Sequence, residues 1–276
     1  MPLSARQLAA FADKHARQIP FDTNPRHLAG PGDARHVTHG LAAAGWRAVS
    51  DPLSAEIVLR SPDLRHRLQF DPQSATSAWW RLRAEPTDTE RGWYAEFGEL
   101  VPAEILGSLT DALIGPPPTQ QPAPFDVLKA AGWTIDTDEA AVSPDGMCHV
   151  RQRHDGGRHH TWHWHVETCE PGYGTPMGPR IWHAWIDGHA PAHLMNAFVT
   201  ALAHNAPLRR ALFDHTIHHS AVQKPSPLTP EQVVEAHTAR LDTVRAQARA
   251  ARRQQQPNPT TAIPVTAGTP RPTARR

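Results

Sequence analysis

A chain of 276 residues with 39% hydrophobic side chains has apolar mass for two ordinary packed units or one large one, yet 28 prolines and a mean hydropathy of −0.52 assign much of it to exposed loop. The formal charge of +1 hides an asymmetry: from Arg240 onward eight arginines stand against the single Asp242, so the end carries +7 and the residues before it −6. A uniformly basic body is thereby excluded, and Cys148 and Cys169, without counterparts in the other half of the chain, are expected as free thiols of a reducing compartment.

Ser4 to Gln18 reads as a short helix with Leu8, Phe11, Ala12 and His15 on one side. Charges interrupt every apolar run there, which suits neither a signal peptide nor a membrane span, and a cytoplasmic protein is the expectation. Asn24 to Asp33 is turn-rich and completes an N-terminal unit, 1–33. From residue 34 the segment HVTHGLAAAGW predicts a short helix ended by Gly45 in the left-handed position past its C-terminus. Ile57 to Leu59 leads into Ser61-Pro62-Asp63, a type I turn between apolar runs and hence a hairpin corner; no base or elbow glycine accompanies the serine. Strands through Leu68 and Leu82 follow. Trp93 to Leu113 then alternates Trp93, Ala95 and Phe97 with Tyr94 and Glu96, and passes through Pro102 at a first helical turn into the stripe Ile105, Leu106, Leu109, Leu113.

All of this recurs. Beyond a proline-rich linker, 116–124, the AGW returns 87 residues later at Ala131 to Trp133, and the corner 82 later as Ser143-Pro144-Asp145. The same 82 puts Leu68 on Val150, Trp80 on Trp162, Leu82 on Trp164 and Glu85 on Glu167, while Trp182 to Leu202 repeats the closing unit at 89. The expected fold is α+β: repeats at 34–115 and 125–206, each an antiparallel meander of about four strands closed by a C-terminal helix over one face, with the other face left to solvent. Residues 207–227 read as a short helix (Leu208, Leu212, Ile217) and connector. Thr229-Pro-Glu-Gln232 opens an Arg-rich amphipathic helix, 228–256, striped by Val233, His237, Leu241, Val244 and Ala248, before a disordered Pro/Thr/Ala tail, 257–276.

The twin Ser-Pro-Asp corners, the AGW before each, and the closing Trp-x-Ala…Pro-Ala-(Glu/His)-(Ile/Leu) units together resemble the SPDY domain family over roughly residues 34 to 206. The resemblance implies an actinobacterial tandem-repeat protein of no established function, and carries over no catalytic residues. The name-giving fourth residue departs, being Leu64 in one copy and Gly146 in the other.

Outward positions of the middle strands are Arg65, Arg67, Arg81 and Arg83 in copy one and His149, Arg151, His163 and His165 in copy two, with Tyr94 and Trp185 outward on the next strand. Arginines interleaved with aromatics on an open sheet suit single-stranded nucleic acid, phosphates pairing with guanidinium groups and bases stacking on rings. On the last helix Arg245, Arg249, Arg252 and Arg253, with Arg240 before them, and in the tail Arg271, Arg275 and Arg276, would be drawn to the same polyanion. The preferred expectation is a non-enzymatic nucleic-acid-binding module with no cofactor and no membrane or small-molecule partner. One alternative is a protein-interaction adaptor using the C-terminal stripe and the sheet edges. Another is a metal-dependent enzyme centred on His163 and His165, with Cys169 or His149 completing the ligands; Arg81 and Arg83 at the repeated positions speak against it.

Overall fold

The computed structural model describes residues 3–51, 53–137, 139–154, 162–172, 177–212, 214 and 218–255. Helix α1 (Ala5–Ala16) starts at a capping box in which Ser4 Oγ accepts the Gln7 amide at 3.2 Å and Gln7 accepts the Ser4 amide at 2.9 Å. Strand β1 (Pro20–Asn24) lies between the expected helix and the turn-rich segment from Asn24 to Asp33, and a 3₁₀ turn at Arg26–Leu28 lies within that segment. Helix α2 (Arg35–Ala43), strands β2 (Arg47–Ala48), β3 (Ile57–Arg60), β4 (His66–Phe70), β5 (Ala78–Ala84) and β6 (Trp93–Gly98) and helix α3 (Ala103–Ile114) make the first half. The second repeats it as α4 (Pro124–Ala130), β7 (Thr134–Thr137), β8 (Ala140–Val142), β9 (Cys148–His154), β10 (Trp162–Cys169), β11 (Arg180–Asp187) and α5 (Ala192–Ala203). Strands β12 (Leu208–Ala211) and β13 (Val222–Pro225) and helix α6 (Pro230–Gln255) follow; the tail expected at 257–276 lies outside the described residues.

Leu208 to Ala211 therefore corrects the helix expected within 207–227. The segment pairs antiparallel with β1, Thr23 opposite Leu208, and β13 pairs on the other side, so long-range strand pairing overrides a weak helical spacing. Pro102 and Pro191 sit at the N-caps of α3 and α5, one position before the first turn. The Pro31 carbonyl accepts the Ala103 amide that no side chain caps.

The two halves share one ten-stranded antiparallel sheet, ordered β2-β3-β4-β5-β6-β11-β10-β9-β8-β7. The seam is β6 against β11, with Ala95 opposite Ile186, Glu96 opposite Trp185 and Phe97 opposite Ala184. Because Ala95, Glu96 and Phe97 correspond to Ala184, Trp185 and Ile186, this register places a pseudo-twofold axis at the Glu96–Trp185 pair. Joining the closing strands also removes the two edges that separate repeats would expose. Helices α2, α3, α4 and α5 cover one face, where Leu68, Trp80, Leu82, Phe97, Val150, Val166, Trp182 and Ile186 meet Leu106, Leu109, Leu194 and Phe198 in a single core. Each fully buried side chain of that size contributes roughly 1.5–3 kcal/mol as an upper bound. Helix α6 lies over α2 and α3, with α1 against it.

One correspondence needs correction. Leu68, Leu82 and Ala95 stand opposite one another in the first half, and Val150, Val166 and Ala184 in the second. Leu82 thus matches Val166, Trp80 matches Trp164 and Arg81 matches His165. The second β-hairpin is two residues longer, and the first carries a bulge between Ala78 and Trp80. A slip of two keeps every side chain on its face.

Candidate nucleic-acid interface

Alternation puts Leu68, Leu82 and Ala95 into the core and sends their neighbours to the uncovered face. The pairing there sets Arg47 opposite Arg60, Arg60 opposite Arg67, Arg67 opposite Arg83, and Arg83 opposite Tyr94: four arginines in one row across β2 to β5, ending on an aromatic. All four are exposed. Neighbouring strands lie ~4.8 Å apart, so the row spans about 14 Å. Arg47, Arg60 and Arg67 make no ion pair or side-chain hydrogen bond among the described residues, and Arg83 meets only Glu85, at 3.5 Å with both side chains well solvated. Like charges directly opposite on adjacent strands destabilise a sheet.

The next row runs Gln69, Arg81, Glu96, Trp185, His165, Arg151 across the seam. Here charges are tied up. Arg81 donates to Thr76 Oγ1 at 2.7 Å, Tyr94 Oη donates to Glu96 Oε2 at 3.1 Å, and Arg151 lies 3.5 Å from Glu167 while donating to Met177 Sδ at 3.1 Å. Trp185 forms an aromatic strip with His163, stacked at 5.2 Å, and Tyr94 at 6.0 Å. Arg65 precedes β4 and is ion-paired with Glu90.

In the second half the counterpart of the arginine row reads His183, Glu167, His149. Burial holds the imidazoles of His149, His165 and His183 below their ordinary range, against the opposing pull of Glu167 and Glu96, so all three are neutral near pH 7. The row of four facing arginines is therefore confined to the first half; on the second half's face Arg151 is held by Glu167 and Arg153 is exposed.

Other candidates separate. The rings of His163 and His165 are 6.5 Å apart, and Cys169 lies six residues from His163, roughly 20 Å along a strand. Among the described residues no three His, Cys, Asp or Glu side chains converge to hold a metal ion. On α6, Leu241, Val244, Ala248 and His237 are buried against the body, so the stripe offered to a partner is already covered. Arg245 pairs with Asp242 at 2.6 Å, Arg249 donates to the Arg245 carbonyl at 3.2 Å, Arg252 donates to the Ala44 carbonyl, and Arg253 is exposed. Because α6 rides on the helical layer, these arginines do not join the sheet face in one surface, contrary to the composite site expected. Arg47 and Arg60 escaped the sequence reading, although a hairpin turning at Ser61-Pro62-Asp63 sets Arg60 opposite Arg67.

Residues 60–119 and 142–208 match the SPDY family, described as a domain of unknown function (DUF317). The chain carries two SPDY domains. No curated protein and no solved structure matches it. The name-giving corners of both domains are latches. Ser61 Oγ accepts the His66 amide at 2.8 Å and Ser143 Oγ the Cys148 amide at 2.9 Å, each hydroxyl donating to the aspartate two residues on. Asp63 and Asp145 in turn accept the Arg65 and Met147 amides at 3.1 Å. The fourth SPDY position is left-handed in both, Leu64 at φ 63° and Gly146 at φ 75°.

Proposed function

We propose that the protein is a non-enzymatic module that binds nucleic acid, single strands in particular, through the uncovered face of its first SPDY domain. The observation that carries this reading is the row Arg47, Arg60, Arg67, Arg83, whose like charges face one another across four strands and which, among the described residues, meets a carboxylate only at its Arg83 end, where Glu85 lies 3.5 Å away in solvent. A sheet tolerates that arrangement at a cost, and a phosphate chain is the ligand that repays it. Tyr94 ends the row and Trp185 follows on the next strand, giving bases a surface to stack on. The histidine-lined half keeps the guanidinium groups of Arg151 and Arg153, and its imidazoles add cationic charge below neutral pH.

Fluorescence anisotropy of labelled single- and double-stranded oligonucleotides at two salt concentrations tests the reading. Arg60→Ala/Arg67→Ala should weaken single-strand binding roughly tenfold or more and lower the salt slope by about 2. Arg245→Ala/Arg249→Ala, on the opposite side, should leave the slope of that site unchanged. Absence of binding tighter than about 100 μM at about 50 mM salt, weaker than ordinary non-specific association, removes the proposal.

A further inference from the structure

The pseudo-twofold gives each SPDY corner a counterpart, and one difference between the two surroundings involves a missing partner. In the second domain Trp182 Nε1 donates to the His27 carbonyl at 2.8 Å, while His27 Nε2 lies 2.9 Å from Asp145 Oδ2 and the His27 ring meets Trp133 at 6.5 Å. The N-terminal segment thus occupies the space between the corner, the AGW turn and Leu202 and Ala203 at the end of α5. In the first domain the equivalent parts, Trp93, Asp63, Trp46, Leu113 and Ile114, border an open groove.

Among the described residues no segment stands there in the place of His27. Trp93 is 4% exposed, and its Nε1 is buried without a hydrogen-bond partner among the described residues. Among the described residues Asp63 uses only Oδ1, for the Ser61 hydroxyl and the Arg65 amide. His66, where the second domain has Cys148, lines the groove 6.2 Å from Trp46 and 6.1 Å from Trp93 but hydrogen-bonds neither Trp93 nor Asp63. An orphaned buried N–H costs about 1–3 kcal/mol. The groove leaves the Trp93 indole N–H without an acceptor and Asp63 Oδ2 without a donor among the described residues, the two roles that the His27 carbonyl and the His27 ring fill in the other domain.

We propose that this groove docks the chain's own C-terminal segment, residues 256–276, which presents a backbone carbonyl to Trp93 Nε1 and an arginine to Asp63 Oδ2. Helix α6 delivers it: Ala248, Ala251, Arg252 and Gln254 line the groove, so the 21 residues after Gln255 begin at its rim. That segment has Arg271, Arg275 and Arg276 and no acidic residue, and Asn258-Pro259 repeats the Asn24-Pro25 that leads into His27. Tethering raises its local concentration to the order of millimolar, enough to populate a contact that a free peptide would make weakly.

The test is the indole ¹⁵N–¹H spectrum of the full-length chain against a chain ending at Gln255, with Trp93 assigned through Trp93→Phe. Loss of the segment should shift the Trp93 cross-peak and speed its hydrogen exchange while Trp182 stays put. Full-length Arg271→Ala/Arg275→Ala/Arg276→Ala should move it the same way, and a synthetic 256–276 peptide added to the shortened chain should restore it. Should Trp93→Phe fail to fold, Asp63→Asn serves: it should speed exchange of the same indole in the full chain and leave it unchanged in the shortened one. An indole that does not notice the segment overturns the proposal, and a shift that varies with protein concentration overturns it in favour of a second copy's segment.

Discussion

Leu64 shows how one backbone angle is set by the turn and not by its residue. At φ 63° it holds a conformation that costs a β-carbon-bearing residue about 1–2 kcal/mol, with its side chain largely in solvent and little packing to offset it. Leu64→Asn should therefore raise stability by about 0.5–1 kcal/mol, and Gly146→Leu should lower it by about 1–2 kcal/mol, both read as shifts in urea midpoint. A Cβ at Gly146 would meet nothing within 4 Å, so the second effect is one of backbone alone. Glu104 tests a different principle. It ion-pairs at 2.6 Å with Arg210, whose side chain is 2% exposed and also bonds the Ala29 and Gly30 carbonyls. Burial raises the Glu104 carboxyl, and Arg210 and His36 more than offset this, holding it below the ordinary range. Glu104→Ala strands that guanidinium and should cost about 3–5 kcal/mol in the same assay.

Between elements, α1, α2 and α6 are joined by imidazoles. Phe11 stacks on His237 at 4.0 Å, His39 Nδ1 lies 3.3 Å from His237 Nε2, and His36 meets His237 at 5.2 Å. Asp33, Glu104, Lys14, Arg35 and Arg240 surround them; Asp33 is held well below the carboxylate range because hydrogen bonds from His15, Arg35 and Lys14 more than offset its burial. Burial depresses His36, His39 and His237, with His39 lowered to about 4 from an ordinary 6.5. The unfolded chain then binds more protons than the native one between those values, so this stability is present above about pH 6.5 and is lost as pH falls toward 4. For His39 alone the full loss is on the order of 3 kcal/mol. Melting temperatures at about pH 7 and about pH 5 should show the drop, and His237→Leu should flatten it. This docking surface was only half legible in the sequence. The stripe Leu241, Val244, Ala248 was plain from helical spacing, but nothing local in it names α2 as the surface it covers. The strands told a similar story: alternation around Leu68 and Leu82 gave the outward arginines, the Ser-Pro-Asp turns gave the hairpins, and Leu208 misled because four residues carry no period of their own.

At the scale of the molecule, the repeat was legible as identity at fixed spacing, whereas its assembly was not. Whether β6 stays an edge or pairs with β11 depends on a contact between residues 89 apart in the chain, and the Glu96–Trp185 axis pair has no signature in either copy alone. The shared core makes a testable claim about cooperativity. Phe97 of β6 and Phe198 of α5 lie 5.7 Å apart across the seam, and α3 packs along α5. Residues 34–115 expressed alone should therefore lack a sharp cooperative unfolding transition, while the full chain melts in one, as calorimetry would register. Cationic charge is distributed across the same seam without regard to the symmetry of the backbone. A polymer crossing the axis would meet the four-arginine row on one flank and, on the other, neutral rings set beside Arg151 and Arg153. Such a surface distinguishes the two directions of a chain laid over it, so a 5′-to-3′ strand and its reversal would sit with unequal energies on a scaffold whose fold treats both ends alike.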